Sequence, residues 1–276
     1  MQSDAITLAR SAGLSRQERE IMDAFAADQR ATVSARDVMA ALSMERANAQ
    51  RVLSRLARKG WLLRLRKGTY SLVPLGAPAP EASIEDPWPL AMALFAPCYL
   101  SGWTAAEHWD LTEQIFNATV VVTAKPQRAQ EQRIGGLRFL CRTVSESALF
   151  GTTRVRSSTG ARVTMADPHR LVIDVLAAPA LGGGGRHTLD VVRAYLRGKH
   201  CDLNKLLEYA ERTGKGMVFK RLGFAVEQFS APPAEWIARC RQGMSAGVSL
   251  LDPSGPKRGR IITRWRLRLN QPIEDA

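Results

Sequence analysis

Between positions 43 and 74 the apolar residues change their period. Ala49, Val52, Leu53 and Leu56 recur at helical spacing and define one side of a helix. Arg51, Arg55 and Arg58 fall on the other side, flanked by Asn48 and Gln50. Ser43 is the N-cap this pattern predicts, and Gly60 the residue at which the chain turns away. Positions 61–66 alternate loosely, Lys67-Gly68 makes a turn, and Thr69–Val73 returns, which predicts a hairpin. Two helices are predicted before this stretch. Leu14–Ala27 buries Leu14, Ile21, Met22 and Phe25 and leaves Arg16, Glu18, Arg19 and Glu20 in water. Ser34 caps a short Ala35–Leu42, with Val38, Met39 and Leu42 inward.

Leu75–Glu85 carries repeated prolines and hardly any large apolar residue, the mark of a semi-rigid linker. The expected division is therefore 1–74, a linker over 75–85, and a second domain over 86–276. In that domain Asp86-Pro87 opens a helix that Pro97 stops. Cys98–Leu100 and Phe116–Thr123 read as strands, with a helix over Ser101–Trp109 between them. Leu137–Thr143, Thr152–Arg156 and Arg162–Met165 complete an antiparallel or mixed sheet. Helices follow at Arg170–Ala177 (opened by Asp167-Pro168), Thr188–Arg197, Leu203–Arg212, Lys215–Leu222 and Ala234–Cys240. The glycine run before 186 lacks the Lys and Ser/Thr of a phosphate loop and reads as a flexible surface loop. Ile261–Leu269 alternates as one late strand, with Arg264, Arg266 and Arg268 on a single face. The fold class expected is α+β: an N-terminal winged helix-turn-helix followed by a larger mixed α/β domain.

Charge sharpens the picture. The 276 residues carry a formal net charge of +13, which favours a polyanionic partner. No long apolar run and no signal-peptide pattern is visible, so a cytoplasmic protein without a membrane partner is expected. Cys98, Cys141, Cys201 and Cys240 stand too far apart for a metal site and are expected to be reduced, buried and inert.

A basic helix followed at once by a basic hairpin is the recognition helix and wing of a DNA-binding unit. Arg46, Asn48, Gln50, Arg51, Arg55 and Arg58 would face the major groove, where such side chains read base edges. Arg64, Arg66 and Lys67 on the wing would meet phosphates. Arg264, Arg266 and Arg268 would either extend that strip or guard a sheet edge. The alternatives are a winged unit that binds protein rather than DNA, and a metal-dependent nuclease in which Asp174, Glu227 and Lys220 converge. The four histidines show no ligand spacing, so no metal and no cofactor is expected.

The chain resembles the AbiEi family, the antitoxin halves of type IV toxin–antitoxin systems of bacterial abortive infection. The resemblance rests on QRVLSRLARKGWLLRLRKGTYSLVP (Gln50–Pro74), YLSGWTAAEHWDL (Tyr99–Leu111), VVVTA (Val120–Ala124), DPHRLVIDVL (Asp167–Leu176) and LLEYAERTGKGMVFKRLGFAVEQF (Leu206–Phe229), in that order. In the last of these, a Lys/Arg-Leu-Gly-Phe step is expected to pass from helix to a short strand. The resemblance implies a non-enzymatic autorepressor that binds inverted repeats at its own promoter. It also implies neutralisation of a nucleotidyltransferase-like toxin without a stable complex between the two proteins.

Overall fold

The computed structural model describes residues 13–27, 31–73 and 84–272. The chain falls into two compact units: residues up to 94 with 131–139 and 157–161, and residues 95–130 with 140–156 and 162 onward. Most of the Leu75–Glu85 linker lies outside the described residues.

The first unit begins with α1 (Arg16–Ala27), β1 (Val33–Ser34), α2 (Ala35–Leu42), α3 (Arg46–Arg58), β2 (Leu62–Arg66) and β3 (Thr69–Leu72). The strands form a small antiparallel sheet in the order β1-β3-β2. Its core is the one the periodicity predicts: Ile21, Phe25, Val38, Ala49, Val52, Leu53, Leu56, Leu62 and Tyr70 are buried together. Two helix starts are fixed by short-range chemistry. The Ser15 N–H donates to the Glu18 carboxylate and the Glu18 N–H to the Ser15 hydroxyl, a reciprocal capping box. At α2, the Ser34 N–H and hydroxyl both donate to Asp37, at 2.8 and 2.6 Å. Ser43 does not cap α3 as expected. It closes α2 in a left-handed conformation (φ 49), and Glu45 holds the N-cap position of α3. The turn between the two helices is thus Ser43–Glu45, short enough for a helix-turn-helix. The same unit includes α4 (Pro87–Phe95), apart from its last residue.

The larger sheet is mixed and six-stranded. Its strands are β4 (Cys98–Leu100), β5 (Thr119–Thr123), β6 (Glu131–Ile134), β7 (Leu137–Thr143), β8 (Thr152–Arg156) and β9 (Arg162–Ala166), ordered β6-β7-β5-β4-β9-β8. β6 and the first residues of β7 belong to the first unit and the other strands to the second. β4 pairs antiparallel with β5 and parallel with β9. Every residue of β5 is buried, as its run of β-branched residues requires. β6 escaped the sequence pattern, because Glu131–Ile134 shows only one buried position. The helices of the second unit are α5 (Gly102–His108), α6 (Pro168–Ala177), α7 (Gly185–Arg197), α8 (Leu203–Thr213), α9 (Gly216–Phe229) and α10 (Ala234–Gln242). Asp167 caps α6 by accepting from the Arg170 N–H at 2.7 Å.

Three expectations fail here. The glycine run is not a loose surface loop: Pro179, Leu181, Gly182 and Gly185 are buried, and the Gly185 N–H donates to Asp252 at 2.8 Å. Gly183 and Gly184 take φ values of 85° and 104°, so the glycines serve a tight turn into α7. The Lys220–Phe224 step does not leave the helix, because α9 continues to Phe229. The late strand is broken into β11 (Arg260–Ile262), a 3-10 turn over Thr263–Trp265 and β12 (Leu267–Leu269), with Arg266 left-handed at the break. β12 lies between β11 and β10 (Ser249–Leu250). The cause is Trp265, whose ring is fully buried against Gly223 of α9 and bends the chain away from extended geometry.

Candidate nucleic-acid interface

α3 presents two faces. On a helix of ~3.6 residues per turn, the direction opposite Ala49, Val52, Leu53 and Leu56 belongs to Ala47, Arg51, Ser54 and Arg58, all exposed. Gln50 and Arg46 flank this line on one side and Asn48 and Arg55 on the other, and these are exposed too. Arg51 is held in place by its own turn: its guanidinium donates to the Asn48 amide oxygen at 2.6 Å and to the Ala47 carbonyl at 3.4 Å. Ala47 and Ser54 do not stand out in the sequence. Small side chains between arginines let the helix axis approach a groove floor closely, and alanine is one of the residues that packs on a thymine methyl. The N-terminus of α3 has no side-chain cap, so its first N–H groups are left open beside Arg46 and the Glu45 carboxylate.

Arg55 has another occupation. Its Nε donates to Glu18 at 2.8 Å, and Lys59 Nζ reaches the other oxygen of the same carboxylate at 2.7 Å. Glu18 was expected in water and is instead buried. The reason is spatial: the fold brings the carboxylate to two cations from 37 and 41 residues away, Arg55 of α3 and Lys59 just beyond it. Burial alone would push the Glu18 carboxyl up, but hydrogen bonds from Lys59, Ser15 and Arg55 prevail and bring it down to about 2. The folded value lies below the ordinary one, so its stabilisation is present above about pH 4.5 and is lost as pH falls toward 2. A contribution of about 2–3 kcal/mol is expected, discounted for the partial exposure of the two cations. Glu18→Gln should therefore flatten the loss of urea stability between pH 6 and pH 3. A variant as acid-sensitive as the parent would refute this role.

The wing also divides its cations. Arg64 and Lys67 are exposed. Arg66 is half-buried: it donates to Gln132 at 2.8 Å and to the Leu94 carbonyl at 3.4 Å. Simple alternation would put Arg64 and Arg66 on one face. Instead the register shifts between them, so that Arg64 lies opposite Tyr70 and Arg66 opposite Thr69, and this irregularity breaks the alternation. Leu63 and Leu65 are buried beside Gly135, whose φ is 57°.

The tail arginines make local contacts. Arg264 pairs with Glu227 at 3.0 Å, Arg266 donates to the Ser245 carbonyl and Arg268 to the Gly259 carbonyl. They do not form a row on one strand, because the strand is interrupted at Thr263–Arg266. The groups considered for a nuclease are each committed to separate partners: Asp174 to Arg170, Tyr99 and Ser101, Glu227 to Trp265 and Arg264, and Lys220 to the Gly247 carbonyl and Ser249. Among the described residues, no group of three or more His, Cys, Asp or Glu is placed to hold a metal. His169 bonds the Tyr195 hydroxyl and His187 the Thr112 hydroxyl. Of the cysteines, Cys141 and Cys240 are buried as expected, whereas Cys98 is half-buried and Cys201 exposed.

Residues 20–73 match the family model described as transcriptional regulator, AbiEi antitoxin. The match covers most of α1, then α2, α3 and the wing, and bears out the resemblance over that segment. Among solved structures, the crystal structure of the RV2827C protein from Mycobacterium tuberculosis aligns with a TM-score of 0.61 at 16% identity, covering 92% of each chain. That likeness concerns the fold. No curated protein matches the chain. No helix among the described residues is long and apolar enough to cross a membrane.

Proposed function

We propose that this protein is a cytoplasmic DNA-binding autorepressor and the antitoxin of a type IV pair. It binds inverted repeats in its own promoter through the first unit. The observation that carries the reading is the exposed α3 face, with Arg46, Asn48, Gln50, Arg51 and Arg58 beside Arg64 and Lys67 of the wing. Net charge of +13 adds long-range attraction to a polyanion. Arg55 and Arg66 are assigned to holding this surface in place, not to touching DNA, because their guanidinium groups are already paired within the protein.

The second unit is assigned the antitoxin role, against a nucleotidyltransferase-like toxin and without a stable complex. The description of the family matched at residues 20–73 as an antitoxin supports an antitoxin role for the chain, and the paired state of Asp174, Glu227 and Lys220 favours a non-catalytic role for the second unit.

The salt dependence of binding tests the wing directly. Removing one cation that neutralises a phosphate should flatten the slope of log K against log salt by about 0.9. Arg64→Ala with Lys67→Ala should therefore flatten it by about 1.8 on any duplex, whereas Arg66→Ala should leave the slope nearly unchanged and lower thermal stability instead. Fluorescence anisotropy on the upstream region, at several salt concentrations, reads both. No retention of that region at moderate salt would leave the winged unit as a protein-binding module.

A further inference from the structure

The second unit holds a group of cations that the DNA-binding reading does not use. Arg142 of β7, Arg170 of α6, Arg212 of α8 and Lys215 beyond it line one cavity of about 130 Å³. Asp174 is the sole carboxylate among its lining residues. That carboxylate has no oxygen to spare. Its Oδ1 faces Arg170 Nη2 at 3.1 Å, and its Oδ2 accepts from the Tyr99 and Ser101 hydroxyls, each at 2.8 Å. Asp174 thus orients Arg170, with both of its oxygens engaged within the protein.

Arg170 is the decisive group. Its side chain is only 3% exposed, its Nε donates to the Tyr99 hydroxyl, and its plane lies 4.1 Å from the Phe150 ring centroid. Its remaining nitrogen, Nη1, is buried and has no hydrogen-bond partner among the described residues. A buried guanidinium N–H without an acceptor is costly, and such groups are ordinarily satisfied. Arg212 covers the same Phe150 ring at 3.9 Å, so two guanidinium groups flank one aromatic plane. Burial and then the nearby Arg142 and Arg170 charges hold the Lys215 ammonium below its ordinary value, against the pull of Asp174. Uncompensated positive charge of this kind is relieved by an anion.

We infer that this cavity binds the phosphoryl group of a small molecule, with Arg142, Arg212 and Lys215 closing around its oxygens and Arg170, whose Nη1 lacks a partner, supplying the buried charge behind them. Guanidinium forks match tetrahedral oxyanions in a way that ammonium groups alone do not. The Ser145 hydroxyl at the rim supplies a neutral donor. This inference is independent of the DNA-binding reading.

The full-length protein can be titrated calorimetrically with inorganic phosphate, AMP and adenosine in chloride buffer at fixed ionic strength. Saturable phosphate or AMP binding is expected, and no adenosine binding. Equal affinity for phosphate and AMP marks a free-phosphate site, and tighter AMP a nucleotide site. Arg212→Gln with Lys215→Gln changes only exposed rim residues and should weaken binding at least about tenfold. Arg193→Gln with Arg239→Gln removes two charges elsewhere and should bind as the parent does. The inference is overturned by adenosine binding as tightly as AMP, by an absence of saturable binding of both phosphate and AMP, or by equal losses in the two double variants.

Discussion

Alanine at both Gln50 and Arg51 is expected to erase most of the preference for the promoter over random DNA. Arg51 lies on the line of α3 farthest from its core, already steered by the Asn48 amide oxygen and the Ala47 carbonyl, and Gln50 flanks it. Each side chain that makes a good bidentate base contact contributes about 1–3 kcal/mol of discrimination, and the pair should together cost about thirtyfold to over ten-thousandfold in the specific-to-random ratio. Neither side chain supports the core, since Ala49, Val52, Leu53 and Leu56 do that from the opposite face. Thermal stability should therefore hold. Arg55→Ala is the matched contrast. It removes one cation from the buried Glu18 carboxylate, so its effect should appear in stability before it appears in sequence preference. Competition anisotropy with promoter and scrambled duplexes separates the two outcomes. Equal losses on both duplexes for the Gln50/Arg51 pair would remove α3 from the groove.

What could be read in advance follows from where the information sits along the chain. The core face of α3, the Lys67-Gly68 turn and the span of β7 depend on residues within a few positions of one another, and periodicity reports such neighbours well. Glu18 was placed in water because polar residues of an amphipathic helix usually are. Yet Ser15 and Glu18 spell a capping box, and that local signal would have pulled the carboxylate toward the helix start. Its pairing with Arg55 and Lys59 left no such trace, because those cations come from another helix. Arg66 was misplaced by one irregular step just before the end of β2, which turns it to Gln132 and the Leu94 carbonyl. Gly183 and Gly184 supply positive φ to a packed turn, and glycine content alone does not separate that use from looseness. The orphaned Arg170 nitrogen is legible only in three dimensions, since Asp167-Pro168 and the helix after it look like an ordinary capped start.

The second large effect belongs to the seam between α9 and the tail. Arg221 is 1% exposed, and its Nε and Nη2 donate to the Leu250 carbonyl at 3.0 and 2.8 Å, while Nη1 donates to the Leu176 carbonyl at 2.6 Å. Burial lowers its value to about 10, with Asp252 pulling the other way, so the group stays charged at neutral pH. One side chain therefore ties the end of α6 and β10 to α9. Two residues along, Gly223 lies under the Trp265 ring, where an added Cβ would stand 2.0 Å from Cζ3. Trp265 cannot simply swing aside, because its indole N–H donates to Glu227 at 2.6 Å and its ring is fully buried. Arg221→Met keeps much of the apolar stem but strips both carbonyls of their donors, and is expected to destabilise the second unit by about 3–5 kcal/mol. Gly223→Ala should cost about 1–3 kcal/mol or more through overpacking, with the tail dislodged. Urea unfolding gives the size of each loss, and limited proteolysis shows where it falls: cleavage should appear after Met244, within the segment that carries β10, β11 and β12. If Gly223→Ala keeps the parent's stability and resists protease in that segment, Trp265 is not what holds the tail to α9.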